Sequence, residues 1–464
     1  MRTNEDAGGY RQDGHSQEHR PDRPASGGRT RRRFLALGAL GAPAASAALS
    51  ACAPGGVGRP TDQAATARKA PVTVQIAAGG WVTDVDKEVH RSVWKAFEQS
   101  RPHVTLDINE IAFTTDKLLT AVAGGTPPDA AYIHPNDLPA VAAPGAYRNL
   151  DEFIRRDKSV DLKVMFPKVL EFHKFKGVLY QLPYHSGPSI IYYNKTLFRR
   201  LGVKLPEEYD RAGQWDWRTG WMEAVRLLTQ ERDGQTYGFD GRAGIAFINV
   251  PIWCNGGDIL NKELTESRLH LPQSAEAIQS YADMWVKLKG THPSGDWRTF
   301  VQGNIGMVYG FRGMGPLFRT IKDFELGMWH NPGGPAGKFT RSGPSGYGVV
   351  TGAKNPDEGW EFVKYYVGPA AQGILFSAGF NVPMTTRKED LEAFRKDLAS
   401  WEREDVYLEA QDKRLRPLAP LPVRWRDINS IWNREWALIR DGQKTAQQAM
   451  TEVRPEIEAL LRSG

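Results

Sequence analysis

Cysteine is nearly absent: the 464-residue chain has two, Cys52 and Cys254. A disulfide-framed scaffold is thereby excluded, because such scaffolds are short and cysteine-dense. No stretch reaches the roughly 20 consecutive apolar residues that a membrane-spanning helix needs. HExxH, GxSxG, GxxxxGK[ST] and paired CxxC are missing, which removes several motif-defined enzyme classes. The Gly79-Gly80 turn lacks GxGxxG spacing, so no dinucleotide site is expected. Asp84, Asp86 and Glu88 imitate half of a calcium loop, but Val89 stands where the sharp turn requires glycine. No metal or cofactor is expected. An excess of one charge is also missing. Residues 1–51 carry eight Arg against five acidic residues, and the remainder has 52 basic and 49 acidic residues, a net +3. Without a basic stripe interleaved with aromatics, nucleic acid is not a partner.

The chain does have size, an ordinary globular composition and a segmented N-terminus. Its length exceeds the roughly 250 to 300 residues at which single cores stop growing, so two lobes are expected. Residues 1–29 are polar and without apolar periodicity, a composition that does not support a packed core. Thr30-Arg31-Arg32-Arg33-Phe34-Leu35 resembles a twin-arginine export motif, with Ala36 where Lys is usual, and the apolar run Phe34 to Leu49 follows it. Gly38, Gly41 and Pro43 interrupt that run, which reads as a signal segment. It ends in Leu49-Ser50-Ala51-Cys52, which resembles a bacterial lipobox and makes Cys52 the expected lipid attachment point. Ala53 to Ala70 is then a tether with a coil dimension on the order of 23 Å. Cys254, left without a partner, reads as a small buried residue.

From Val72 onward the pattern is β-α-β-α-β: strands at Val72 to Ala77, Val104 to Ile108 and Ala130 to Ile133, with helices around Val85 to Phe97 and Leu118. This order argues for a mainly parallel sheet flanked by helices, with ligands met by loops at the carboxyl ends of strands. Those loops present Trp81, Glu110, Asn136 and Asp137. The stretch from Gly177 to Pro206 reads as a hinge. Val178 to Leu182 alternates as a strand that Pro183 ends, Ser186-Gly187-Pro188 hold a break, and Ser189 to Tyr193 begins a second sheet. Asn194 is a natural N-cap for the short helix that follows, with Gly202 past its end.

Leu182-Pro183-Tyr184, Tyr193-Asn194-Lys195, Leu197-Phe198, Leu201-Gly202-Val203 and Pro206 together resemble the bacterial extracellular solute-binding proteins of family 1, the maltose-binding-protein-like receptors of ABC importers. The resemblance continues through Tyr237-Gly238-Phe239, Gly256-Gly257, Gly303 to Gly310, Lys354-Asn355-Pro356 with Trp360-Glu361-Phe362, and Gly379 to Pro383. Trp215-Asp216-Trp217 stands where Thr-Trp-Asp is frequent in the family. The resemblance implies an α/β, two-lobed periplasmic-binding-protein-like (type II) fold. The expected first lobe is 71–185 plus 345–383, and the second is 186–344 plus 384–464. It also implies a monomeric receptor that captures a mono- or oligosaccharide by hinge closure. The receptor would serve a membrane permease pair driven by a separate ATPase.

A sugar needs flat aromatics for its C–H faces and carboxylate, amide or guanidinium groups for its hydroxyls. Beyond the loops already named, Tyr184 and His185 sit on the hinge and are placed to sense closure, with simple hinge packing as the alternative for His185. Trp253 and Trp297 each suit ligand contact or packing. Phe311 and Arg312 fall where the family resemblance places ligand-contacting aromatics, with Arg312 as the departure. Tyr347 lies on the returning strand, and Arg424 and Trp425 on the approach to the C-terminal helices. Ile278, Tyr281, Trp285 and Leu288 form a core stripe, as do Ile428, Trp432, Trp436 and Ile439. A non-sugar solute such as a glycerophosphodiester or a polyamine remains open, as does a secreted glycosidase using two carboxylates.

Overall fold

The computed structural model describes residues 69–79, 84–110, 114–230, 235–418 and 420–463. The signal and lipobox residues, Cys52 among them, and Trp81 lie outside the described residues. Two sheets organise what is described. The first contains β1 (Val72–Ala77), β2 (Val104–Asn109) and β3 (Ala130–Tyr132). A two-strand hairpin, β4 (Lys174–Phe175) and β5 (Val178–Leu179), precedes β6 (Leu182–His185). The second sheet contains β7 (Ile190–Asn194), β8 (Tyr237–Phe239), β9 (Ile305–Gly310) and β10 (Leu326–Trp329), after which β11 (Ser345–Val349) returns to the first. The strand orders are β2-β1-β3-β11-β6 and β10-β7-β9-β8.

β1, β2 and β3 pair in parallel as the β-α-β pattern predicts. The mainly parallel expectation stops there. β11 is antiparallel to both β3 and β6, and in the second sheet only β8 and β9 run parallel. The reason is connectivity: β11 re-enters the first sheet from the other lobe, not through a helical crossover on the same sheet.

The helices follow their sequence signals. In Asp84–Ser100, Asp84 and Asp86 complement the positive end of the helix dipole, while Val93 and Phe97 are fully buried. Asn194 caps Lys195–Arg200 by accepting from the Leu197 N–H at 2.9 Å, and Gly202 has φ +67°. In Trp425–Arg440 the stripe Ile428, Trp432, Trp436 and Ile439 is buried in the second-lobe core. Trp285 is half-buried, packed edge-on to Phe239 and Trp436. None of the described helices is long and apolar enough to cross a membrane.

The hinge differs from its sequence reading in two respects. Val178 to Leu182 is not one strand: Val178–Leu179 is β5 of the hairpin, and Leu182 opens β6. Pro183 does not end the strand but lies inside β6, opposite Gly346. It is tolerated there because β6 is the sheet edge, where a missing N–H breaks no inner ladder. Gly346 is required at that point: a Cβ would lie 2.7 Å from the His173 ring and 2.8 Å from the Leu182 carbonyl. Polar bonds then tie the lobe crossings together. The Ser186 N–H donates to Asn381 Oδ1 at 3.0 Å, and Ser186 Oγ donates to Gln411 Oε1 at 2.9 Å and lies 3.1 Å from Ser342 Oγ.

Candidate functional site

In the second lobe the chain leaves β8 and β9 at their carboxyl ends on the hinge side, and both exits supply aromatic rings. Phe311 directly follows β9. Phe247 lies in the first turn of the helix Ile245–Cys254, which starts after the short loop leaving β8. Their ring centroids are 6.2 Å apart. The Arg341 guanidinium carbon sits 5.0 Å from the Phe247 centroid and 4.9 Å from that of Phe311. Arg242, on the loop after β8, approaches Phe247 at 5.0 Å and Trp297 at 5.7 Å. Guanidinium over an aromatic face is attractive, and more so when desolvated, so the four groups hold one another in place.

Asp240 lies beside Arg242 and is fully buried. Its Oδ1 accepts from the Arg242 backbone N–H at 3.2 Å, and its Oδ2 is 3.6 Å from Arg242 Nε. Burial pushes this carboxyl up to about 7, against the pull of Arg242 and its backbone N–H. The effect is the expected one for a carboxylate removed from water.

The first lobe contributes the turn after β3, from His134 through Pro135–Asp137. Asp137 accepts two hydrogen bonds from Arg426, from Nε at 2.7 Å and Nη2 at 3.0 Å. Arg426 is in the first turn of Trp425–Arg440, so this bidentate pair joins the lobes across the cleft. His134 is half-buried, and loss of water around its ring lowers its basicity. Asp137 opposes that effect, and the nearby cations Arg341 and Arg426 add to it. These four groups therefore form one charge cluster at the junction of the two walls. With side-chain exposures of 45% and 21%, the Arg426–Asp137 pair is worth no more than about 1 kcal/mol. Arg426→Ala should therefore reduce the closed population of the unliganded protein by up to about fivefold. Small-angle scattering should show a larger radius of gyration, and raising the salt concentration should reproduce it in the wild type. An unchanged radius would assign the pair no role in closure.

The model of the bacterial extracellular solute-binding protein family matches residues 72–373. The chain belongs to that family. Among curated relatives, the diacetylchitobiose-binding protein DasA of Streptomyces coelicolor is 26% identical over 66% of this chain and 72% of its own. A putative binding protein of Brucella abortus is 25% identical over 80% of this chain and 89% of its own. Among solved structures, the Listeria monocytogenes ABC substrate-binding protein in complex with cycloalternan superposes with a TM-score of 0.73 at 21% identity. The match covers 85% of this chain and 98% of that one. UgpB of Mycobacterium tuberculosis, in complex with glycerophosphocholine, gives 0.70 at 18%, covering 85% and 99%. At these identities the structures carry the fold: two-lobed, type II, maltose-binding-protein-like.

Within this solute-binding protein, the residues expected at the ligand from sequence have different placements. Phe311 follows β9 and meets Arg341, while Asn136 and Asp137 lie on the turn after β3, where Asp137 is bound to Arg426 and not left open. Glu110 is held by Arg91 and Lys87 of the neighbouring helix, whose hydrogen bonds bring its carboxyl down to about 2. Tyr184 and Tyr347 are core residues, fully buried with ring centroids 5.1 Å apart, and the Tyr184 hydroxyl donates to the Gly79 carbonyl at 3.0 Å. His185 packs the hinge: Nδ1 is 3.1 Å from the Gly343 carbonyl and the ring lies 4.8 Å from Phe380. Trp297 is buried against Phe318 and meets Arg242 at one face.

Trp253 is not on a loop but in the last turn of its helix. Its indole N–H donates to Asp258 at 3.2 Å and its face lies under Arg416 at 4.8 Å, on the wall of an open depression of about 470 Å³ in the second lobe. Arg312 is fully buried in an ion network away from solvent, Arg424 pairs with Asp427 of its own helix, and Trp425 is a core residue. Cys254 is buried, and burial pushes its thiol up to about 12. Sequence reasoning missed Asp240, Arg242, Phe247, Arg341 and Arg426. Asp240 and Arg242 were findable, since they directly follow Tyr237-Gly238-Phe239, a motif that the family resemblance singles out and that the structure makes β8. Phe247 was not, because its helix is apolar but for the buried Asn249 and no face stands out.

Proposed function

We propose that this protein captures a carbohydrate between its two lobes, 71–185 plus 345–383 and 186–344 plus 384–464, and presents it to an ABC permease pair driven by a separate ATPase. In this reading it works as a monomer on the outer face of the cell membrane. It is anchored through a lipid on Cys52 after twin-arginine export, and it performs no chemistry on the solute. The supporting observation is the second-lobe wall. Phe247 and Phe311 supply aromatic rings, and Arg242, Arg341 and Asp240 lie against or beside them with hydrogen-bonding groups, the combination a pyranose demands. Closure follows if the solute touches both walls only when the lobes meet, which supplies the differential affinity that shifts the population. The sugar-binding relatives agree with this reading. The two arginines also favour a second one, an anionic solute such as a glycerophosphodiester.

The test is a thermal-shift screen of the purified protein against maltotriose, mannotriose, N,N′-diacetylchitobiose, D-tagatose, mannitol, glucuronate, glycerophosphocholine and putrescine. A solute at 100 times its Kd should stabilise the native state by about 2.7 kcal/mol. A neutral sugar that raises the melting temperature and is recovered unchanged supports the carbohydrate receptor. A shift with glycerophosphocholine alone selects the second reading, and release of a cleaved sugar would overturn the non-enzymatic role.

A further inference from the structure

We propose that Asp240 and Arg242 are a hydroxyl-reading pair that selects neutral polyhydroxylated solutes over charged ones. The inference rests on the cleft being the solute site. It starts from two atoms: Asp240 Oδ2 and Arg242 Nη2 are both buried, and neither has a hydrogen-bond partner among the described residues. The 3.6 Å between Arg242 Nε and Oδ2 is an ionic contact, too long to satisfy that oxygen as a hydrogen bond. Buried polar groups in folded proteins are almost always paired, so an acceptor and a donor left over side by side call for an external group that both donates and accepts. A hydroxyl does both. Two adjacent hydroxyls of a sugar ring match the pair, one donating to Oδ2 and the other accepting from Nη2.

Position and surroundings agree. The pair sits at the carboxyl end of β8, where open α/β sheets receive ligands, and β8 lies parallel to β9, whose exit carries Phe311. Arg242 spans the space between the rings of Phe247 and Trp297, so the hydroxyl-reading atoms lie next to flat apolar surface. The charges argue against an ionic solute of either sign. An anion drawn to Arg242 meets the Asp240 carboxyl, with Asp296 close enough to Asp240 to repel it. A cation drawn to Asp240 meets the guanidinium of Arg242, with that of Arg341 on the same Phe247 ring. The pair therefore disfavours the glycerophosphodiester and polyamine alternatives.

The experiment is isothermal titration of the full exported protein and of its Asp240→Asn, Arg242→Gln and Arg242→Lys variants against the eight probes named above. The ligand-free melting temperature of each variant is the folding control. The wild type should bind at least one neutral sugar and neither glucuronate nor putrescine. Asp240→Asn and Arg242→Gln should weaken that sugar about 30-fold or more, because each leaves a buried ligand hydroxyl unpaired. Asp240→Asn should also narrow the gap between glucuronate and the neutral sugars. If Arg242→Gln fails to fold, Arg242→Lys, which keeps the charge but not the planar donors, carries the same expectation. Sugar affinities within threefold of wild type in the folded variants would reduce the pair to a structural contact bridged by water. A wild type that prefers a charged probe would overturn the selectivity while leaving the receptor intact. A wild type that binds none of the eight would overturn the receptor reading and this inference with it.

Discussion

An Arg312→Ala variant is expected to lose about 3–5 kcal/mol of folding stability, measured as a fall in the urea midpoint. The Arg312 side chain is fully buried. Its Nε donates to Glu402 Oε1 at 2.7 Å, its Nη1 to the Asn381 carbonyl at 2.7 Å and its Nη2 to Asp397 at 3.2 Å, while Phe394 covers the guanidinium at 4.7 Å. Removing it leaves the buried Glu402 carboxylate without its closest counter-charge. Burial alone would push that carboxyl up. Arg312 first, then the Ala399 N–H and Arg319, outweigh burial and hold it below the usual carboxylate range. The deficit should therefore shrink as pH falls and Glu402 takes up a proton in the variant. Asn381 also accepts from the Ser186 N–H at 3.0 Å and donates to the Tyr184 carbonyl at 2.8 Å, so Arg312 braces the hinge strand through one intermediary. Arg312→Ala/Glu402→Gln should lose less than the two single changes combined, since the double variant leaves no buried charge unpaired at this bond. Additive losses, or a single-variant loss below about 1 kcal/mol, would mean the network is not what holds this part of the hinge.

Arg312 also shows where sequence reading stops. Its position after a strand and beside Phe311 was legible, and so was the hinge, because alternation, a proline, a small-residue break and an N-cap are all local signals. Its partner Glu402 lies 90 residues on, and nothing between them marks the pairing. Asp137 and Arg426, 289 residues apart, repeat the lesson: the aspartate was read as a ligand group because its loop is at a carboxyl end, while the arginine that occupies it was out of sight. Tyr184 and Tyr347 were read as cleft aromatics from hinge position alone, but the strand pairing of β6 with β11 turns both rings into the first-lobe core. Pro183 was misread for a related reason, since whether a proline ends a strand depends on which strand becomes the edge. Helical stripes with a clear apolar face, such as Ile428 to Ile439, were read correctly. The helix Ile245–Cys254, apolar but for the buried Asn249, gave no face to read, and it carries Phe247 against Arg242 and Arg341.

The first-lobe and hinge histidines, partly offset by Asp240, are expected to cost about 3 kcal/mol of stability as pH falls from 7.5 to 5, again read from the urea midpoint. Three buried histidines stand in or against the first lobe and hinge. Burial, with His185 nearby, lowers His90 to about 3. Burial lowers His173 to about 4 despite a hydrogen bond with Gln181, and lowers His185 to about 4 despite the Gly343 carbonyl. Each is neutral in the folded protein at pH 5, whereas the unfolded chain protonates near 6.5. The unfolded state therefore binds more protons across this window, and stability falls as pH falls, by about 2 kcal/mol per histidine at pH 5. Asp240 works in the opposite direction. Its folded value near 7 lies above the unfolded one, so its contribution is present at low pH and lost as pH rises through 7, offsetting about 3 kcal/mol of the acid loss. Two variants separate the contributions. His173→Gln should flatten the acid limb by close to one proton, and Asp240→Asn should steepen it by removing the offset. The His90 ring lies 5.3 Å from Tyr184 and 5.5 Å from Phe380, and His185 is 4.8 Å from the same Phe380, so protonation would loosen the packing about which the lobes close. Solute affinity should then weaken over the same pH range as stability. A urea midpoint that stays level from pH 7.5 to 5 would show that these imidazoles charge without cost, and that water reaches the buried hinge.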